Sequence, residues 1–243
     1  MTQLAIDTAT EILSVALERD GPDGPRRLVM ERDTGLRHAR LLMPLVDTLL
    51  SQAGVRVEEL DLISCLRGPG SFTGLRIGMA TAKGVAAAVA AHLGTSRAPV
   101  VSVPTLDVIA ARVPPVPALV MPVIDGRKGR FYAALYRRGR RISEDLDLTP
   151  QALLSLAASL STPDDNALIV TGPHASGFVG KLTADLPVTV PELVMDPAAR
   201  SGCAAQLLGL ARIASEAGYD AEDQGPWYVR ESDAEAGRRD GAG

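Results

Sequence analysis

Apolar and polar positions change their period several times along the chain, and each change marks an element. Leu4, Ala5 and Ile6 form an unbroken apolar run that ends on Asp7, which reads as a short buried strand. Over 12–18, Leu13, Val15 and Leu17 alternate with Ser14 and Ala16, the period-two signature of a second strand. Residues 20–25 are all Asp, Gly or Pro, and a third strand over 28–32 follows, so the chain opens as an antiparallel meander. Over 38–53 the period becomes helical: Leu41, Leu42, Leu45, Val46, Leu49 and Leu50 recur at spacings of three and four. Gly54 suits a left-handed cap, and Pro44 predicts a kink or a helix start just before it. A buried strand over 60–66, a loop over 67–74 and a long Ala-rich helix over 73–93, closed by Gly94, come next. A strand over 99–103 and a helix over 105–112 complete an α/β lobe.

Pro114, Pro115 and Pro117 stop regular structure and mark a boundary. Beyond them the pattern starts again, with strands over 119–125, 130–136 and 141–148 and a turn at Arg138 and Gly139. At an offset of 118, Ile6, Asp7, Ala16, Leu17, Arg19 and Gly21 meet Ile124, Asp125, Ala134, Leu135, Arg137 and Gly139. This repeat predicts two lobes, each with a mixed sheet. Helices over 151–160 and 201–215 flank a strand over 168–170, with a loop over 172–174. We expect a first lobe over 1–104, a second over 105–197, a helix over about 198–216 packing back on the first lobe, and a C-terminal tail over 217–243 that frays beyond 231. Duplicated lobes around a ligand-sized cleft are the architecture of the actin-like superfamily, an analogy of fold that settles no chemistry.

Composition narrows the function classes. Charged residues are 22% and hydrophobic ones 46%, an ordinary globular balance, and a net charge of -4 argues against broad coating of nucleic acid. Aromatics at 3% leave few stacking platforms for bases. The uncharged runs fall short of the roughly 18 apolar residues that a membrane span needs, and no leader segment is visible. Two cysteines, Cys65 and Cys203, make no disulfide framework, so a reduced, cytoplasmic setting is expected.

The chemistry concentrates in 67–78. A strand end, a glycine-dependent turn, a Ser or Thr cap and a helix start lie in succession there, and free N–H groups at such a helix start favour an anion. The alternative is a tight crossover with Ser71 or Thr73 as an ordinary cap. The segment is neither a Walker A loop nor a Gly-x-Gly-x-x-Gly fingerprint. Along the helix, Gly74, Gly78, Ala82 and Ala86 recur every fourth residue, a face that lets another backbone approach closely. Its partner is either an internal helix, with 38–53 the natural neighbour, or another chain. Asp7 and Asp125 each end an apolar strand, as carboxylates near metal-linked phosphate do. With Thr10, Gly70 and Ser71 they are candidate nucleotide or anion contacts, the alternative for each Asp being an ordinary turn. His38, His92 and His174 are the only histidines, and their spacing gives no helical metal pair and no convincing catalytic set.

The block running from Gly68 through Pro69, Gly70, Ser71, Phe72, Thr73, Gly74, Leu75, Arg76 and Ile77 to Gly78 resembles that of the TsaB family. That family is the dimerisation subunit of the bacterial complex that installs threonylcarbamoyl on a tRNA adenosine. The opening hairpin, the helix from His38, residues 122–129 and the motif over 226–230 resemble the family as well. The resemblance implies an actin-like two-lobed fold and no catalysis by this chain alone. It implies a heterodimer with the catalytic paralogue TsaD, a homodimer in its absence, association with the ATPase TsaE, and contact with tRNA only through the complex. The implied interface comprises His38, Leu41, Leu42, Leu45, Val46, Leu49, Phe72, Thr73, Gly74, Leu75, Gly78, Ala82 and Val85. No cofactor of its own is implied, although ATP or ADP has a place at the complex interface. TsaD carries a His-x-x-x-His metal pair that this chain lacks, and Ala39 and Arg40 stand where the family more often has Ser and Glu. The rival reading is an independent nucleotide-dependent enzyme of the same superfamily. The family's older endopeptidase label finds neither metal pair nor triad here.

Overall fold

A computed structural model describes residues 1–35, 37–95, 99–182 and 192–229. The expected fraying beyond 231 and the last residue of the 226–230 motif lie outside the described residues.

The first lobe is a five-stranded sheet. Its strands are β1 (Thr2–Asp7), β2 (Ile12–Arg19), β3 (Arg26–Asp33), β4 (Leu62–Gly68) and β5 (Val100–Pro104), in the order β3-β2-β1-β4-β5. β1 pairs with β2 antiparallel and with β4 in parallel, with Leu4 opposite Leu17 on one side and Ile63 on the other. α1 (His38–Ala53) and α2 (Phe72–Leu93) cover the outer face, and α3 (Thr105–Ala110) follows β5. Pro44 lies inside α1 without ending it.

The second lobe repeats this layout. Its strands are β6 (Leu119–Asp125), β7 (Phe131–Ala133), β8 (Tyr136–Arg137), β9 (Arg140–Arg141), β10 (Leu146–Leu148), β11 (Ala167–Thr171) and β12 (Glu192–Met195). Its main path runs β10-β7-β6-β11-β12, the same order strand for strand as in the first lobe. β6 again takes an antiparallel neighbour on one side and a parallel one on the other. The repeat read from six identities is therefore a repeat of topology, and the α/β class with two mixed-sheet lobes is the fold observed. Two details differ from expectation. The strands expected over 130–136 and 141–148 are each broken in two, because β8 leaves β7 to pair with the start of β6 at Leu119 and Val120. The strand β12 and the short helix α5 (Ala175–Val179) were not anticipated from the pattern.

α4 (Pro150–Leu160) and α5 cover the outer face of the second sheet, and α6 (Ala204–Glu216) crosses back to the first, touching β1, β2, β4 and β5. The layers run α1/α2, first sheet, α3/α6, second sheet, α4/α5, with an apolar core in each gap. Tyr136 donates to Asp107 of α3, and Arg112 just after α3 donates to Ser201 and Ala198 ahead of α6, which ties the central layer to both lobes. Residues 219–229 form a strap across the first lobe: Asp220 N donates to Val100 O at 2.8 Å, Trp227 N to Arg67 O at 2.7 Å, and Lys83 Nζ to Glu222 O at 2.6 Å.

The small-residue stripe of α2 meets two internal partners: Ala82 and Ala86 share a core cluster with Leu42, Val46 and Leu49 of α1, while Gly74 and Gly78 meet Thr8 at the end of β1. A Cβ on Gly74 would lie 2.1 Å from Thr8 O, and one on Gly78 would lie 2.2 Å from Thr8 Oγ1, while Thr8 Oγ1 donates to Gly74 O at 2.8 Å. Gly84, on the opposite side of the helix, has no atom of the described residues within 4 Å of a built Cβ. Ala in place of Gly favours a helix by about 0.8–1 kcal/mol. Gly84→Ala is therefore expected to stabilise the fold by about that much. Gly74→Ala is expected to destabilise it by roughly 1–3 kcal/mol, because overpacking against backbone outweighs propensity. Urea unfolding of both variants measures the difference, and equal signs at the two sites would contradict this packing.

Candidate functional site

The end of β1 decides where the candidate carboxylate goes. Asp7 is 2% exposed, and its Oδ2 accepts from Cys203 N at 2.8 Å and Cys203 Sγ at 3.2 Å, while Oδ1 accepts from Ala9 N at 3.1 Å. Asp7 thus receives the start of α6 and does not border the cleft. This corrects its reading as an anion contact: burial raises its pKa and its oxygens are already engaged. Asp125 does border the cleft, but its Oδ1 accepts from Arg127 N at 2.8 Å in a tight turn. Neither strand-end carboxylate fits a metal-linked phosphate, and among the described residues no three His, Cys, Asp or Glu side chains group as metal ligands.

The cleft between the lobes has a volume of about 360 Å³. Thr10, Gly70 and Ser71 lie along it, with the first turn of α2. Ser71 caps that helix, its Oγ accepting from Gly74 N at 3.2 Å. Thr10 is buried, and its carbonyl accepts from His38 Nε2 at 2.7 Å. Sequence reasoning missed Glu11 and His174, which close the cleft at one end. Glu11 Oε2 lies 3.0 Å from His174 Nε2 of the second lobe, and Oε1 accepts from Arg200 at 3.2 Å. Arg200 also reaches Asp33 Oδ2 at 2.5 Å. The hydrogen bond from His174 is the main reason that the Glu11 carboxyl is held down at about 2.

The structure divides the expected interface residues. His38, Leu42, Val46, Leu49, Gly74, Leu75, Gly78, Ala82 and Val85 are buried within the chain itself, which corrects their assignment as partner contacts. They pack on the sheet because α1 and α2 each present one stripe to β1, β2 and β4, and that stripe is the core. Leu41, Leu45 and Phe72 are half-buried and Thr73 is exposed. Among the described residues the face left open is a second bare ridge on α2: Ala80, Gly84, Ala87, Ala88 and Ala91, all exposed; on α1, Met43 is 50% exposed. A helical wheel contained the signal, since this ridge lies opposite Leu75, Met79 and Val89. Phe72 also stacks with Tyr228 of the strap at 4.7 Å between centroids, and the Arg76 guanidinium sits 3.9 Å over Phe72.

Fold and cleft define a duplicated two-lobe protein, and the comparisons state its class. Residues 30–215 match the family model of TsaD, tRNA N6-adenosine threonylcarbamoyltransferase. The chain is 37% identical over 140 residues to the tRNA threonylcarbamoyladenosine biosynthesis protein TsaB of Escherichia coli K12, covering 57% of this chain and 56% of that protein. It is 29% identical over 178 residues to TsaB of Bacillus subtilis 168, covering 72% of each. The crystal structure of YeaZ from Pseudomonas aeruginosa superposes with a TM-score of 0.71 at 30% identity, over 94% of this chain and 99% of that one. The match thus spans little more than half of the E. coli relative's length. The chain belongs to the TsaB family.

Two measurements check the carboxylates. Glu11 is depressed in the folded state from an ordinary 4.5 to about 2, so its contribution to stability is present above pH 4.5 and lost as pH falls toward 2. The stability gap between wild type and Glu11→Gln, from urea midpoints, is expected to shrink over that window and stay flat just above it. Asp7→Ala leaves the Cys203 and Ala9 amides without their acceptor and is expected to cost about 1–3 kcal/mol. A loss below about 0.5 kcal/mol would deny the cap.

Proposed function

We propose that this chain is a non-catalytic subunit in tRNA threonylcarbamoyladenosine biosynthesis, binding and activating the catalytic paralogue TsaD. Its relatives in E. coli and B. subtilis carry that biosynthesis in their names, and the family model it matches is that of TsaD itself. The observation that carries the docking reading is the exposed Ala and Gly ridge of α2. A ridge of Ala and Gly offers a helix of another chain close backbone approach, and the exposed Met43 adds apolar surface on α1. Thr73 and Arg76 extend the surface to the start of α2. A second copy of the chain covers the same ridge when TsaD is absent, which makes the homodimer and the heterodimer exclusive. Engagement of both strand-end aspartates inside the chain supports the non-catalytic part of the reading.

The test is the mass of the purified chain mixed with TsaD, by light scattering at micromolar concentration. A one-to-one complex is expected, and persistent separation would reject docking. Gly84→Arg places a charge where the fold has open space. It is expected to keep the melting temperature and weaken the complex by a hundredfold or more, since a charge buried at a tight contact costs several kcal/mol. An intact complex with this variant would reject the ridge.

A further inference from the structure

Residues 219–229, the strap of the first lobe, have no part in the docking reading, and they are held to the rest of the chain by a short series of contacts. They carry neither helix nor strand, and none of them is buried: Trp227 is 56% and Tyr219 37% exposed. At one end Asp220 N donates to Val100 O of β5, the edge strand of the first sheet, and at the other Trp227 N donates to Arg67 O. Between those two points Lys83 Nζ of α2 donates to Glu222 O at 2.6 Å and to Gln224 O at 2.7 Å. A charged donor makes hydrogen bonds roughly twice as strong as neutral ones, so Lys83 is the firmest point of attachment. At the start of α2, Tyr228 stacks on Phe72 and its Oη accepts from Arg76 at 3.0 Å. Asp220 Oδ2 is buried with no hydrogen-bond partner among the described residues, a cost that contact with water would remove.

A segment that buries no residue fully gives up little apolar burial on leaving. With few contacts and an orphaned carboxylate oxygen, it has the character of parts that open below the free energy of global unfolding. The helices it touches do not need it: α2 is fixed to β1 through Thr8, and α6 through Asp7 and Cys203. We propose that residues 219–229 open as one unit while both lobes stay folded, that Lys83 is the clasp that keeps them closed, and that opening uncovers Phe72 and Arg76 and the free edge of β5. The strap is thus a gate over the start of α2. Lys83 stands three residues after Ala80 and four before Ala87, which puts the clasp at the border of the exposed ridge. Opening involves this chain alone and does not depend on the docking reading.

Hydrogen exchange of single amides in the full chain, followed by NMR in a series of urea concentrations below the unfolding transition, tests the gate. The reference is the Ile63 amide of β4, which donates to Pro99 O at 2.8 Å inside the sheet. The Asp220 and Trp227 amides are expected to exchange at least a hundredfold faster than Ile63, at matched rates and with little dependence on urea. Lys83→Met keeps the stem of the side chain and removes its charge. It is expected to raise both strap rates at least tenfold and to leave the Ile63 rate and the urea midpoint unchanged. If that variant does not fold by circular dichroism, Tyr228→Leu, which removes the stack on Phe72, takes its place with the same expectation. Asp220 and Trp227 exchanging only as slowly as Ile63 would overturn the proposal, since the strap would then open only with the whole fold. So would one amide responding without the other, or strap rates unchanged in the folded variant.

Discussion

Asp7 accepts from the amide and thiol of Cys203 while Thr8 donates to Gly74 O and Ala9 O accepts from Ser71 N at 2.7 Å. These three consecutive residues at the end of β1 pin α6 to the inner face of the first sheet and α2 to its outer face. The close approach at Thr8 leaves no room for a Cβ at positions 74 and 78, so glycine there is a packing requirement. The helix-propensity cost of two glycines is offset by contacts that a larger side chain would forbid. Because Asp7 serves α6, it is not available to a ligand, and the chemistry of the cleft has to come from elsewhere.

α2 uses small residues twice, for opposite purposes. On one face they let the helix sink onto β1 and Thr8. On the other they leave a bare ridge, with no atom of the described residues within 4 Å of a Cβ built at Gly84. The Leu stripe of α1 divides too, with Leu42, Val46 and Leu49 in the core and Leu41 and Leu45 half-buried at its edge. A helix that covers a sheet with one face has its opposite face left for a partner, and the division between the two is set by where the sheet lies.

The cleft is a product of the duplication. The first lobe brings the start of α2, and the second brings the turn at Arg127 and Lys128 at the position equivalent to Ala9 in the repeat. Glu11 bridges the lobes by pairing with His174 and Arg200, and the strap returns Trp227 and Tyr228 to the rim. Arg76 joins strap and helix by stacking on Phe72 and donating to Tyr228 Oη at 3.0 Å. Each wall therefore depends on segments far apart in the chain.

Local pattern alone determined the strands of the first meander, the extent of α1 and α2, their glycine caps, the break at the prolines and the duplication. These rest on interactions between near neighbours, so period and turn chemistry suffice to read them. The TsaB block was legible for the same reason, since its turn and cap are local. That Thr8 meets Gly74 and Gly78 of α2, that Asp7 meets a cysteine 196 positions later, and that Glu11 finds His174 were decided only by the tertiary structure. A periodic stripe says that a face is to be covered, but the covering element is chosen by how the sheets and helices stack, and no spacing within one helix encodes that choice.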